Sequence, residues 1–196
     1  FIQMLSDKGT FEKICDALAS VGEKAVEILQ TTLPDSNPQI RAGVIIVLGR
    51  ILQAASHKSR KRRQALMYEP GGWDGEARKL HESAEALRKQ QQQSVSQQIA
   101  EYLLDKSVDV RVAAIDALLK IKGPDAGSRL LPMLDDESTK VQVAAMQALG
   151  DIGYQDATPN LMSKLDNKTY HVDLPLISML PIARLCDYAL RTLPRC

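Results

Sequence analysis

A helical run rich in small apolar residues recurs along this chain and closes each time on Ala-Leu or Val-Leu. The copies are Ala17-Leu18, Val47-Leu48, Ala117-Leu118, Ala148-Leu149 and Ala189-Leu190. Successive copies lie 30, 70, 31 and 41 residues apart. A unit of about 30 residues has room for two short helices and their turns, and it cannot bury its own apolar face. It must stack on its neighbours, and each unit then contacts only the units beside it. The expected fold is all-α: an α-solenoid of stacked antiparallel helix pairs, one segment over residues 1–196. Composition agrees. The chain is 44% hydrophobic but only 4% aromatic, and small aliphatic side chains suit thin helix-on-helix layers.

Three second helices align: residues 40–51, 110–121 and 141–152. Val110, Ala113, Ala114, Ala117, Leu118 and Ile121 recur at helical spacing and make one face. Gly22, Gly123 and Gly153 follow the runs, where a left-handed C-terminal cap favours Gly. Ala25, Ala126 and Ala157, then Leu29, Leu130 and Leu161, mark the next first helices, which should end near Leu33, Leu103, Leu134 and Leu165. Asn37-Pro38, Ser107 and Ser138 read as helix starts. Pro132 lies inside a first helix and should distort it.

A polar pair recurs in the same frame. Asp35 precedes Arg41 by six residues, Asp105 precedes Arg111 by six, and Asp136 precedes Gln142 by six. An acid in the turn and a base early in the second helix can link repeat to repeat as a ladder. The carboxylate can also accept backbone amides at the helix start. These six residues are therefore read as structural.

The motif Val-Arg-x-Ala-Ala-x-x-Ala-Leu at 110–118, Val-x-x-Ala-Ala-x-x-Ala-Leu-Gly-x-Ile-Gly at 141–153, and the turn Asp-to-Arg spacing resemble the HEAT repeat family. The nearest resemblance is to its short phycobilisome-lyase HEAT-like members. It covers residues 10–55 and 95–196. It implies stacked antiparallel helix pairs with a concave groove lined by second helices. Some members are bilin lyases or isomerases, so the resemblance also carries a lyase-type alternative. The chain departs from the pattern where Gln142 replaces a base, where 166–181 lengthen a turn, and where 53–94 interrupt the array.

The interruption reads as an inserted helical hairpin, with a degenerate extra repeat as the alternative. Residues 53–67 contain few helix breakers and can prolong the preceding helix. Glu69-Pro70-Gly71-Gly72-Trp73-Asp74-Gly75 is a turn cluster, and Leu80, Ala84 and Leu87 fall on one stripe of the helix that follows. Lys58-Ser59-Arg60-Lys61-Arg62-Arg63 places five positive charges in six residues, while the remaining 20 bases face 24 acids. Such a run can neutralise phosphates or serve nuclear import. It can equally be a solvated helix face balanced by Glu76, Glu82 and Glu85. It lacks the interleaved aromatics that stack single-stranded bases.

Chemistry-bearing motifs do not compete with the repeat. His57, His81 and His171 are scattered, and Cys15, Cys186 and Cys196 form no CxxC pair, so neither a metal nor another cofactor is expected. No nucleophile elbow or phosphate-cradling glycine loop occurs. No uninterrupted apolar run approaches the roughly 18 residues of a membrane span. Scattered cysteines fit reduced thiols and a cytoplasmic setting. The start at Phe1 and the end at Cys196, directly after a repeat motif, read as edges of a longer array. The expected role is a non-enzymatic scaffold that holds a protein partner or a neighbouring subunit on its second helices. Arg50, Asp116, Lys120, Gln147 and Asp151 would set specificity there, with nucleic-acid or anionic-surface binding through residues 58–63 as the alternative.

Overall fold

The computed structural model describes residues 13, 17–18, 21–68, 75–123 and 125–166. Cys15, Trp73, Cys186, Cys196, His171, the expected 69–74 turn and the 166–181 stretch beyond Asp166 lie outside them. By internal contacts the chain divides into two compact units, Phe1–Gly123 and Pro124–Cys196.

The first unit contains α1 (Glu23–Thr32), α2 (Pro38–Tyr68), α3 (Gly75–Glu101) and α4 (Val108–Ile121), with a 3-10 turn at Tyr102–Leu104. The second contains α5 (Ala126–Leu130), α6 (Thr139–Ile152) and α7 (Thr158–Asp166), with 3-10 turns at Leu131–Asp135 and Gln155–Ala157. The fold is all-α, and no strand occurs among the described residues. Each repeat is a first helix, a short Asp-containing turn and a second helix.

Burial follows the predicted apolar stripe. On α4, Val110, Ala113, Ala114, Ala117, Leu118 and Ile121 are all buried. On α2 the matching face is Val44, Val47, Leu48 and Ile51. These two second helices approach each other closely. A Cβ built on Gly49 would stand 2.9 Å from Ala117 Cα and 3.0 Å from its Cβ. Gly facing Ala is what allows the two backbones to meet. In the second unit Val141, Ala145, Ala148 and Leu149 of α6 are buried, as are Leu130, Met133 and Leu134 from the preceding first helix. That first helix turns from α to 3-10 at Leu131, and Pro132 opens the 3-10 segment. The ring removes a donor and disfavours continued α geometry, so the helix tightens.

The caps depart from expectation in two places. Gly153 closes α6 at φ 70°, as read from the sequence. At α4 the left-handed position is taken by Lys122 at φ 51°, one residue before Gly123. Ser107 and Ser138 do sit at the N-caps of α4 and α6, but their hydroxyls make no capping bond. Their backbone N–H groups instead donate to Asp105 Oδ1 and Asp136 Oδ1, each at 2.8 Å. The turn carboxylate has taken over the ordering of the helix start. Asn37 caps with its side chain, accepting from Gln39 N–H at 2.9 Å ahead of Pro38.

The insertion takes the form of a long helical hairpin. Helix α2 runs unbroken from the repeat into it, and α3 runs unbroken back out. Buried positions stop at Leu52 on α2 and resume at Val95 on α3. Among the described residues between them, no apolar side chain is buried. Part of α2 within Pro38–Ala65 is long and apolar enough, by composition, to cross a membrane. The averaged hydropathy tolerates Arg41 and Arg50, which interrupt any apolar run. Half of the stretch is buried in the protein, as in a core helix.

Candidate functional site

Three groups of polar residues stand out once the helices are placed. The first is the turn ladder. Asn37 N–H donates to Asp35 Oδ1 at 2.7 Å, so all three turn acids make the same local bond. The residue six positions on then donates to a backbone carbonyl of its own turn. Arg41 Nη1 reaches the carbonyls of Asp35 and Ser36 at 2.8 and 3.0 Å. Arg111 Nη1 reaches that of Asp105 at 2.8 Å, and Gln142 Nε2 that of Asp136 at 2.6 Å. This carbonyl bond needs a donor but no charge, which explains why Gln142 can stand where the other repeats have Arg.

The charge in Arg41 does a second job. Its Nε and Nη2 donate to Asp105 Oδ2 and Oδ1, both at 2.9 Å, joining one repeat to the next. The pair is largely enclosed, with side chains 15% and 10% exposed. Burial pushes the Asp105 carboxyl upward, but the Arg41 fork, the Ser107 amide and the charges of Arg41 and Arg111 outweigh it. The net effect holds Asp105 below the usual carboxylate range. The Arg41 guanidinium is correspondingly raised, chiefly by its bonds to Asp105.

The second group is the second-helix face. In the first unit Arg50 is half-buried on α2, and on α4 Asp116 pairs with Lys120 one turn later. The Asp116 side chain remains 43% exposed. In the second unit Gln147 is half-buried and Asp151 exposed on α6. The sequence named these five positions, and the structure places each within its own unit.

The third group was not assembled from the sequence. On the inner side of the arm, Ser59 of α2 donates to Glu85 of α3. Arg88 donates to both Glu85 oxygens at 3.2 and 3.0 Å, to Ser56 Oγ at 2.9 Å and to Gln92 Oε1 at 3.0 Å. Gln92 in turn donates to the carbonyl of Ile121, tying the arm's base to the end of α4. Hydrogen bonding from Arg88 holds the Glu85 carboxyl below its ordinary range against the effect of burial, with the charges of Arg88, His81 and Lys89 adding to it. Beside this seam is a cleft of about 550 Å³, walled by Ser56, Ser59, Arg60 and Arg63 of α2 and by His81, Glu82, Glu85, Ala86, Arg88 and Lys89 of α3. Arg60 and Arg63 enter its wall, whereas Lys58, Lys61 and Arg62 are exposed outside it. The only sequence signal for this split is the three-residue spacing of Arg60 and Arg63, which sets them on one helix face.

Leu80, Ala84 and Leu87 do not face α2. They are exposed, Leu80 at 68% and Leu87 at 60%. The polar row of Glu85, Arg88 and Gln92 occupies the inner side instead. Among the described residues, no group of three His, Cys, Asp or Glu is placed to hold a metal ion.

Residues 141–167, which span α6, its Gly153 cap and α7, match the family model of the PBS lyase HEAT-like repeat. The chain carries a HEAT-like repeat. The match contains the longest stretch of the motif, 141–153, and includes Gln142, whose ladder bond reaches back to Asp136 just ahead of it. No curated protein matches the chain. Among solved structures, the chain is similar to the crystal structure of an engineered protein, a Northeast Structural Genomics Consortium target. The likeness covers 97% of this chain and 84% of that one at 18% identity, with a TM-score of 0.37. A score that low does not establish a shared topology.

Proposed function

We propose that this HEAT-like chain is a non-enzymatic scaffold and that it holds a protein partner against its second helices. The observation that carries the reading is the fixed placement of Asp116 and Lys120 beside the α2–α4 contact. Gly49 against Ala117 brings the two backbones together, and the Arg41–Asp105 fork ties one repeat to the next. The Asp116–Lys120 pair is partly exposed on a face whose backbone is already ordered. Such a face binds at low entropic cost, because little further ordering is needed. Charged groups at the edge of an interface contribute specificity and association rate more than raw affinity. The lyase in the family's description bears on one matched repeat and supplies no reaction for this chain.

The test uses a photo-crosslinking residue at position 120 of the intact chain, followed by identification of the captured protein and affinity measurement with that protein purified. Reversal of the pair, Asp116→Lys with Lys120→Glu, preserves its mutual attraction but inverts the pattern shown to a partner. The expected result is at least a tenfold loss of affinity with an unchanged melting temperature. A partner that binds the reversed protein as tightly as the original contradicts the proposal.

A further inference from the structure

We propose that the cleft of the helical arm binds the phosphate backbone of a nucleic-acid duplex, through Arg60 and Arg63 of α2 and Lys89 of α3. Four basic side chains, Arg60, Arg63, Arg88 and Lys89, line the cleft against two carboxylates, Glu82 and Glu85. Both carboxylates are committed elsewhere. Glu82 accepts from Arg78 at 2.9 Å, and Glu85 is held by Arg88 and Ser59. Arg60, Arg63 and Lys89 therefore have no compensating ion pair among the described residues. Their charges converge from two helices on one concave surface, where the local potential is stronger than on a flat face.

The chemistry selects the ligand. Guanidinium groups match phosphate oxygens with paired, planar hydrogen bonds. Arg60 and Arg63, one helical turn apart, present two such groups side by side. The Ser56 and Ser59 hydroxyls in the wall already donate, to the Leu52 carbonyl and to Glu85, so the phosphate contacts fall to the cations. Among the described residues no Phe, Tyr or Trp lines the cleft, and His81 is its single aromatic ring, so successive unstacked bases have no continuous platform, which favours a paired duplex over a single strand. The arm is joined to the repeat core by hydrogen bonds, Gln92 to Ile121 among them, so the cations are held on a fixed support. This site shares no residue with the second-helix face proposed for a protein partner.

The experiment is fluorescence anisotropy of the full chain with labelled 20-base-pair DNA and RNA duplexes, a single strand of equal length and a poly-glutamate peptide, each at several salt concentrations. One variant removes the cleft cations, Arg60→Ala, Arg63→Ala and Lys89→Ala. A control variant removes equal charge elsewhere, Lys24→Ala, Lys106→Ala and Lys140→Ala. The side chains of Arg60, Arg63, Lys89, Lys24 and Lys106 make no hydrogen bond or ion pair among the described residues, whereas that of Lys140 is engaged, and circular dichroism checks that both variants keep the helical fold. The expected result is saturable binding to a DNA or RNA duplex, weakened at least tenfold by the cleft variant and little changed by the control. Each lost phosphate contact lowers the slope of log K against log salt by about 0.9, so the cleft variant should flatten it by about 2 to 3. Binding to DNA alone or RNA alone supports the proposal and names the source of the phosphate. Equal weakening by both variants, equal affinity for single strand, tighter binding to poly-glutamate, or no saturable duplex binding at low salt overturns it.

Discussion

Single residues in this chain divide their work in ways that mutation can separate. Asp105 orders its own turn through Ser107 and joins its repeat to the previous one through Arg41. Asp105→Asn keeps part of the first role and loses the charge of the second, leaving Arg41 enclosed without its counter-ion. A cost of about 1–3 kcal/mol at neutral pH is expected from urea denaturation. The carboxyl is held below its unfolded value of roughly 3.9, so its stabilisation is complete above that pH and is lost as pH falls through the lower, folded value. The gap between wild type and Asp105→Asn should therefore narrow as pH falls below the unfolded value of about 3.9, and a gap of constant size contradicts the assignment. Gly49→Ala forces a methyl against the Ala117 backbone and should cost about 1–3 kcal/mol. The six-residue spacing made the ladder legible from the sequence. Its split into a carbonyl bond within the repeat and a fork between repeats was not, because spacing fixes a helix face and not the acceptor a side chain reaches.

At the scale of helices and turns, periodicity reports which face is apolar but not what covers it. On α4 the stripe met a neighbouring helix and is buried. On α3 the same kind of stripe, Leu80, Ala84 and Leu87, lies open, because Glu85, Arg88 and Gln92 make the stronger claim on α2 by bonding to Ser59, Ser56 and the end of α4. Helix ends show a similar limit. Gly153 was found from its residue type, while the cap of α4 fell to Lys122 because the chain reverses one residue before its glycine. Placing a non-glycine residue in the left-handed region costs roughly 1–2 kcal/mol. Gly153→Ala should therefore destabilise by about 1 kcal/mol, whereas Lys122→Gly should be neutral or stabilising within about 1 kcal/mol, since glycine's extra unfolded-state entropy offsets part of the relief. Parallel denaturant titrations of the two variants check this, and a clear loss for Lys122→Gly would show that the lysine side chain does more than occupy a turn.

The molecule as a whole builds its stability from neighbouring helix pairs, and the described residues of the arm add no buried apolar side chain to them. Buried residues end at Leu52 and begin again at Val95, and between them the arm is joined by polar bonds. Regions with few buried apolar contacts open at lower free energy than the cores they extend from. Native-state hydrogen exchange resolved by residue tests this most directly. The account predicts that amides of residues 44–52 in α2 and 110–121 in α4 exchange together in the slowest class of the first unit, and that residues 57–68 and 75–94 exchange at least tenfold faster. Equal protection along the full length of α2 and α3, or α4 opening independently of α2, would contradict it.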